Sequence, residues 1–220
     1  MTKIKAIVFD MDGVLIDAKE WHYEALNRAL GLFGYTISRY DHLSRYDGLP
    51  TRRKLEMLTR EKGLPRPLHG FLNELKQVYT MELIYSQCKP VFCHEYALAK
   101  LKGQGLKLGV ASNSIRRTVE VMMERSSLMR YMDVILSNED VRVAKPDPEI
   151  YLTAINRLGI EPSECLIVED NEQGIRAAEA SGGHLMVVDD ILDVNFDNIV
   201  RAISQAEAQS QAAKAKAVKS

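Results

Sequence analysis

Five short stretches of this sequence are nearly continuous runs of apolar residues: IKAIVF at 4–9, LKLGVA at 106–111, DVIL at 133–136, CLIVE at 165–169 and LMVVD at 185–189. A strand with one wet face alternates apolar and polar side chains. A strand in a sheet covered on both faces has no wet side, and its sequence loses the alternation. The runs are therefore predicted to be strands of a sheet held between helices. RRTVEVMMERSS, DPEIYLTAINRLG and EQGIRAAEASG lie between the last four runs and have helical spacing. The latter two stop on a glycine, the residue that most readily takes the left-handed conformation closing a helix. This alternation of strand and helix predicts an α/β fold around a parallel sheet.

The segment 17–87 breaks that pattern. WHYEALNRALGLFGY, PTRRKLEMLTREKG and LHGFLNELKQVYTMELIYSQ show helical periodicity with Pro and Gly between them and no strand-like run. We read 17–87 as a small all-helical domain inserted after the first strand, which leaves 1–16 and 88–206 as the core. The stretch 207–220, rich in Ala, Lys, Gln and Ser without an apolar stripe, reads as a polar tail, either an exposed helix extension or a frayed end, to which no function is assigned.

Bulk properties narrow the function classes. The 29 basic residues nearly cancel the 30 acidic ones, so the charge balance indicates no nucleic acid and no membrane surface as partner. A small molecule is the expected partner, and the chain is expected to be a monomer or a weak homodimer. Cys88, Cys93 and Cys165 are too few and too unevenly spaced for a disulfide framework or a common zinc site, and read as reduced thiols. No segment reaches the roughly 18–20 consecutive apolar residues needed to span a bilayer. A cytoplasmic location is the expectation.

In an open parallel sheet, ligands bind beyond the carboxyl ends of the strands. Asp10 and Asp12 follow the first strand, Ser112 and Asn113 the second, Lys145 comes after the third, and Glu169 and Asp170 end the fourth. Hard oxygen donors such as Asp10, Asp170 and the main-chain carbonyl of residue 12 suit Mg²⁺ with a substrate phosphate. Lys145 and the Ser112 hydroxyl would donate to phosphoryl oxygens, and Asp12 would serve as general acid and then base. Each feature alone has an ordinary reading as a turn, a helix cap or a solvated charge. Their occurrence together, each at a strand end, favours phosphoryl-transfer chemistry.

VFDMDGVLID, VASNS, AKPDPEIY and IVEDNEQGI together resemble the motifs of the haloacid dehalogenase superfamily, over about residues 4–195. The resemblance is to the subgroup with a helical cap after strand one, which includes β-phosphoglucomutases and phosphoglycolate phosphatases. It implies a three-layer Rossmann-like core in which Asp10 is transiently phosphorylated, Asp12 is the acid/base, and Ser112 and Lys145 hold the phosphoryl group. It also implies that Asp170 completes a Mg²⁺ shell with Glu169 beside it, giving Asp10, Asp12, Glu169 and Asp170 as the metal set. Dehalogenation is not expected, since the dehalogenases lack a second aspartate like Asp12. Phosphonate hydrolysis is not expected either, because Lys54 falls several residues past the place of those relatives' cap lysine.

Within the cap the substrate-binding candidates are His22, Gly48, Thr51 and Arg52, with Asn113 added from the core. The mutase-like relatives carry an arginine three residues after the glycine that matches Gly48; here that place is Thr51, with Arg52 next. Hydrolysis needs only water at the phosphoaspartate, whereas a mutase must exclude it. The leading expectation is a Mg²⁺-dependent phosphatase acting on a small phosphorylated metabolite, a sugar phosphate or a relative of one. The alternatives are a sugar phosphomutase and a non-catalytic binding or regulatory module on the same fold.

Overall fold

The structure, a computed structural model, describes residues 3–217, with side chains through Gln211. Residues 1–2 of the expected core and 218–220 of the expected tail lie outside the described residues. The chain divides into two compact units, one formed by Met1–Ile16 with Lys89–Ser220 and the other by Asp17–Cys88.

The first unit is built on five parallel strands: β1 Ala6–Phe9, β2 Lys107–Ala111, β3 Val134–Leu136, β4 Cys165–Glu169 and β5 His184–Val187, in the order β3-β2-β1-β4-β5. The register places Phe9 beside both Val110 and Val168, so the strands at the centre of the sheet end at one level. Successive side chains on a strand face opposite ways. Ala6, Val8, Ala111 and Ile167 pack with Ile150, Tyr151, Ala154, Ala177 and Ala178 on one face. The alternate positions Ile7, Phe9, Leu108, Val110, Leu166 and Val168 are buried as well. Burial of both faces is the reason the strand sequences do not alternate.

The helices of this unit are α5 Phe92–Gly103, α6 Arg116–Arg125, α7 Glu149–Leu158, α8 Glu172–Ser181 and α9 Phe196–Ala217. The α7 and α8 helices stop at Gly159 and Gly182, with φ of 65° and 78°. A side chain at that φ would strain the backbone, so the two glycines end their helices where the sequence placed the ends. The strand predicted at 133–136 begins one residue later, and the one predicted at 185–189 begins one residue earlier and stops at Val187.

The helix α9 runs without interruption from Phe196 through residue 207 to Ala217, so the expected polar tail is in large part the continuation of a core helix. Ala, Gln and Lys are strong helix formers. The extension is tied down by polar contacts instead of an apolar stripe: Glu207 accepts the Ile4 amide at 3.0 Å, and the Ser210 hydroxyl pairs with the His184 ring at 3.1 Å.

The second unit contains α1 Lys19–Gly31, a short α2 Arg39–Asp41 that widens into a π-helical turn at His42–Tyr46, α3 Thr51–Lys62 and α4 Leu68–Gln87. Its core joins Leu26, Ala29 and Leu30 of α1 to Leu55 and Leu58 of α3, Leu72 of α4, and Ile37, Tyr46 and Leu64 between them. Among the described residues no helix is long and apolar enough to cross a membrane.

Candidate active site

The rim at the carboxyl ends of β1, β2 and β4 gathers the polar side chains of the first unit. Asp10 follows β1 and keeps the sheet pattern for one more residue, donating its amide to the Val168 carbonyl at 2.9 Å. The chain then turns: the Met11 carbonyl accepts the amides of Leu15 and Ile16 at 3.0 and 2.9 Å, and Gly13 sits at φ 89°. Only glycine adopts that φ without cost. The stretch is a turn, and the turn leaves Asp10 buried at the strand end, with 5% of the residue exposed.

Lys145 organises the centre. Its ammonium donates to Asp10 Oδ1 at 2.6 Å, to Glu169 Oε1 at 2.7 Å and to the Ala111 carbonyl at 2.9 Å. All three donors of the ammonium are thereby engaged. Asn113, counted from the sequence among the substrate-binding residues, is placed against the lysine's own backbone. Its Oδ1 accepts the Lys145 amide at 3.1 Å, and its Nδ2 lies 3.4 Å from the Lys145 carbonyl. Ser112 is buried, and its hydroxyl accepts the Ser114 amide at 3.0 Å. The Ser114 hydroxyl in turn donates to Asp12 Oδ2 at 2.9 Å.

Electrostatics at this rim are dominated by burial. Desolvation pushes the Asp10 carboxyl well above the ordinary carboxylate range; Lys145 opposes it, while Glu169, Asp170 and Asp12 add to it. For Lys145 desolvation pulls downward, but Asp10 and Glu169 overcome it and hold the ammonium above its ordinary value. One lysine therefore faces several carboxylates, and the site carries excess negative charge. Asp10, Glu169 and Asp170 each offer a carboxylate oxygen, and these oxygens lie within 4.8 Å of one another. A compact all-oxygen donor set with surplus negative charge fits a hard divalent cation such as Mg²⁺.

In the helical unit, His22 and Lys76 meet, with Nδ1 and Nζ 3.1 Å apart. His42 is buried against the Tyr23 ring, with centroids 4.9 Å apart, and its imidazole is held below its ordinary pKa by burial and then by Lys54. Gly48 sits at φ 69° before Thr51, which is half-buried at the start of α3. Arg52 is placed differently from Lys54 on this helix. Its side chain is 89% exposed and ion-paired with Glu56, whereas Lys54 is 7% exposed. A step of about 100° per residue separates these fates: Thr51 and Lys54, three apart, share a face that Arg52 does not. The run RRK is thus neither a solvated face nor a binding face as a whole. Its two arginines are solvated and its lysine is buried.

The family model of the haloacid dehalogenase-like hydrolases matches residues 7–188 of this chain. The chain belongs to this family. The phosphorylated carbohydrates phosphatase of Thermotoga maritima is 31% identical over 182 residues, covering 81% of this chain and 82% of that protein. The β-phosphoglucomutase of Bacillus subtilis is 28% identical over 187 residues, covering 81% and 80%. Among solved structures, a β-phosphoglucomutase from Clostridium difficile superposes with a TM-score of 0.81 at 22% identity, covering 93% of this chain and 99% of that one, which is a likeness of fold.

In this haloacid dehalogenase-like hydrolase several residues complete the site that the strand-end reading did not single out. Ser114, Tyr151, Asn171 and Gly174 all bear on the candidate groups, and each lies within a motif quoted from the sequence or just beyond it. Asn171 caps α8 by accepting the Gly174 amide at 3.1 Å. Gly174 also marks a close approach: a Cβ built on it would lie 1.8 Å from Glu169 Oε1. The Glu169 carboxylate cannot swing aside, because Lys145 and the Tyr151 hydroxyl hold the same oxygen. Gly174→Ala is expected to cost about 1–3 kcal/mol of stability by overpacking. It should also reduce turnover at least about tenfold by displacing Glu169. Thermal melting and steady-state turnover measure both, and a variant with wild-type values for each would show that Glu169 tolerates displacement.

Proposed function

We propose that this chain is a Mg²⁺-dependent phosphatase of small phosphomonoesters, a sugar phosphate or related metabolite, acting through a phosphoaspartate on Asp10. The observation that carries the reading is the buried Lys145 ammonium shared between Asp10 and Glu169, at 2.6 and 2.7 Å, on the same rim as Asp12 and Asp170. An ammonium so placed can turn the N–H it gives Asp10 to an oxygen of the phosphoryl group as Asp10 bonds to phosphorus, and its positive charge is already held in position before the substrate arrives. The names of the relatives, a carbohydrate phosphatase and a phosphomutase, support the same chemistry.

In the first half-reaction an Asp10 carboxylate oxygen forms a bond to phosphorus as the ester oxygen departs with a proton from Asp12. In the second, Asp12 takes a proton from water, the water oxygen bonds to phosphorus, and the Asp10–phosphorus bond breaks to release inorganic phosphate. Lys145 and the Ser112 hydroxyl hold the phosphoryl oxygens throughout. The carboxylates of Asp10, Glu169 and Asp170, with the main-chain carbonyl of Asp12, would hold Mg²⁺. When bound, the cation offsets the charge that otherwise keeps an anionic carboxylate from an anionic phosphoryl group.

Substrate selection is assigned to the helical unit, through His22, Gly48 and Thr51. Arg52 is left out of that set because its side chain is 89% exposed and ion-paired with Glu56. With Thr51 and not a cation at the place of the mutases' arginine, hydrolysis is favoured over isomerisation. We infer a small metabolite as the partner, with no role for nucleic acid or membrane, and a chain that acts as a monomer or weak homodimer in the cytoplasm.

The deciding experiment incubates the protein with hexose 1-phosphates and Mg²⁺, with a trace of hexose bisphosphate, and measures free phosphate against isomerised sugar phosphate. Free phosphate is expected to dominate and to disappear with a chelator. Dominant isomerisation would make the chain a mutase, and neither product over a broad phosphomonoester panel would favour the non-catalytic module.

A further inference from the structure

We propose that Tyr151 is a positioning residue for the divalent-metal site, its hydroxyl fixing the orientation in which Glu169 serves Lys145 and the metal cluster together. The inference rests on the reading that Asp10, Glu169 and Asp170 hold a cation.

Tyr151 is the third residue of α7 and is fully buried, packed with Val8, Ala111, Ile150 and Ile167 against the sheet. Packing alone asks for an apolar ring there, and a phenylalanine would fill nearly the same volume. A phenol in that position carries a polar atom into the core, which is unfavourable unless the O–H finds a partner. Its partner is Glu169 Oε1, the oxygen that also accepts Lys145. The Lys145 ammonium lies 4.7 Å from the centroid of the same ring, so Tyr151 touches both members of the buried ion pair.

Glu169 is itself fully buried and its two oxygens take donors of different origin. Oε1 takes the ammonium and the phenol. Oε2 accepts the Asp170 amide at 3.2 Å and the Asn171 side-chain amide at 3.3 Å, both from the residues that follow it directly. Those two are short-range donors that move with the strand end, so they cannot orient the carboxylate independently of it. The phenol comes from another element, and together with Lys145 it fixes the plane of the carboxylate from outside. Burial holds the phenol well above its ordinary pKa, with Glu169 and Asp10 adding to the effect, so it remains a donor. Outer partners of this kind tune a metal site through the orientation of its ligands.

The test compares the wild type with Tyr151→Phe, which keeps the ring, the packing and the contact with Lys145 but removes the donor. Mn²⁺ binding to the substrate-free protein, measured by titration calorimetry, is expected to weaken about tenfold. The Mg²⁺ concentration giving half-maximal phosphate release should rise by the same factor, while KM at saturating Mg²⁺ stays within about twofold. In a Glu169→Gln background the same substitution should add nothing to the loss of Mn²⁺ affinity, because the effect is carried by Glu169. A role confined to packing would lower the melting temperature and leave the metal constants where they were, and that result overturns the inference. An undiminished effect in the Glu169→Gln background also overturns it. Absence of Mn²⁺ binding by the wild type would overturn the metal reading itself and the inference with it, so the two failures are distinguishable. Should the Phe variant not fold, 3-fluorotyrosine placed at 151 keeps the shape and strengthens the donor. Its Mn²⁺ affinity should then differ from that of the wild type, and an unchanged value overturns the inference.

Discussion

Asp10→Asn is expected to release phosphate at less than about one ten-thousandth of the wild-type rate, since under the proposed mechanism it removes the covalent nucleophile and leaves only binding and electrostatic effects to act. The substitution keeps the shape of the side chain and its place beneath Lys145, so the loss should fall on turnover and not on folding. Its effect on stability has the opposite sign. The buried Asp10 carboxyl titrates well above the ordinary range because desolvation and three neighbouring carboxylates outweigh Lys145. A folded-state pKa raised above the unfolded value of about 3.9 means that the native state holds its proton more tightly, and stability is lost as pH rises through the folded pKa. The neutral amide of the Asp10→Asn variant would carry no such penalty. In metal-free buffer the variant should therefore melt at or above the wild-type temperature at neutral pH, with the difference vanishing at acid pH below the ordinary carboxylate range. Substantial phosphate release by Asp10→Asn, scored with phosphate-free reagents, would remove Asp10 from the mechanism. A variant that is inactive and more stable is the signature of a residue kept for chemistry at the expense of the fold.

Lys145→Met should be inactive as well, but with stability moving the other way. Lys145 is only 3% exposed, and its ammonium donates to Asp10, Glu169 and the Ala111 carbonyl. Its removal leaves two buried carboxylates without their counter-charge, and breaking a buried pair by deleting one partner costs about 3–5 kcal/mol. Under the proposed mechanism, loss of one preorganised donor to the phosphoryl group lowers turnover by about 10²–10³-fold, and misplacement of Asp10 adds to this. The two substitutions thus bracket the site: one relieves the excess of negative charge and the other worsens it. Added Mg²⁺ should restore part of the lost melting temperature in Lys145→Met, because a cation among the carboxylates supplies what the lysine did. Equal melting temperatures for wild type and Lys145→Met in metal-free buffer would show that the buried pair contributes nothing to folding.

Much of the first unit was legible because local rules and tertiary demands coincide there. The runs CLIVE and AIVF have no polar face because both faces of β4 and β1 are covered, and that requirement is written into every residue of the strand. Gly159 and Gly182 stand where α7 and α8 close. The tail could be read only as a helix extension or a frayed end for a related reason: a helix held by Glu207 and Ser210 through single polar contacts leaves no periodic apolar trace. In the helical unit Arg52 and Lys54 illustrate the same limit. Sequence shows three adjacent cations, and only helical phase in the folded unit separates the exposed pair from the buried one.

The sequence by itself determined which residues reach the rim, because a strand's end is a local property and the residue after it must lie there. Asp10, Ser112, Glu169 and Asp170 could be named on that ground, and Lys145 through the motif AKPDPEIY. The tertiary structure alone decided how their charges are shared. Lys145 and Asp10 are 135 residues apart and Tyr151 and Glu169 are 18 apart, so neither pairing follows from local periodicity. Hydrogen-bond partners across such separations are set by the packing of α7 on the sheet. That packing makes Asn113 a clamp on Lys145 and draws Tyr151, which the sequence does not single out, into contact with the ion pair at the centre of the site.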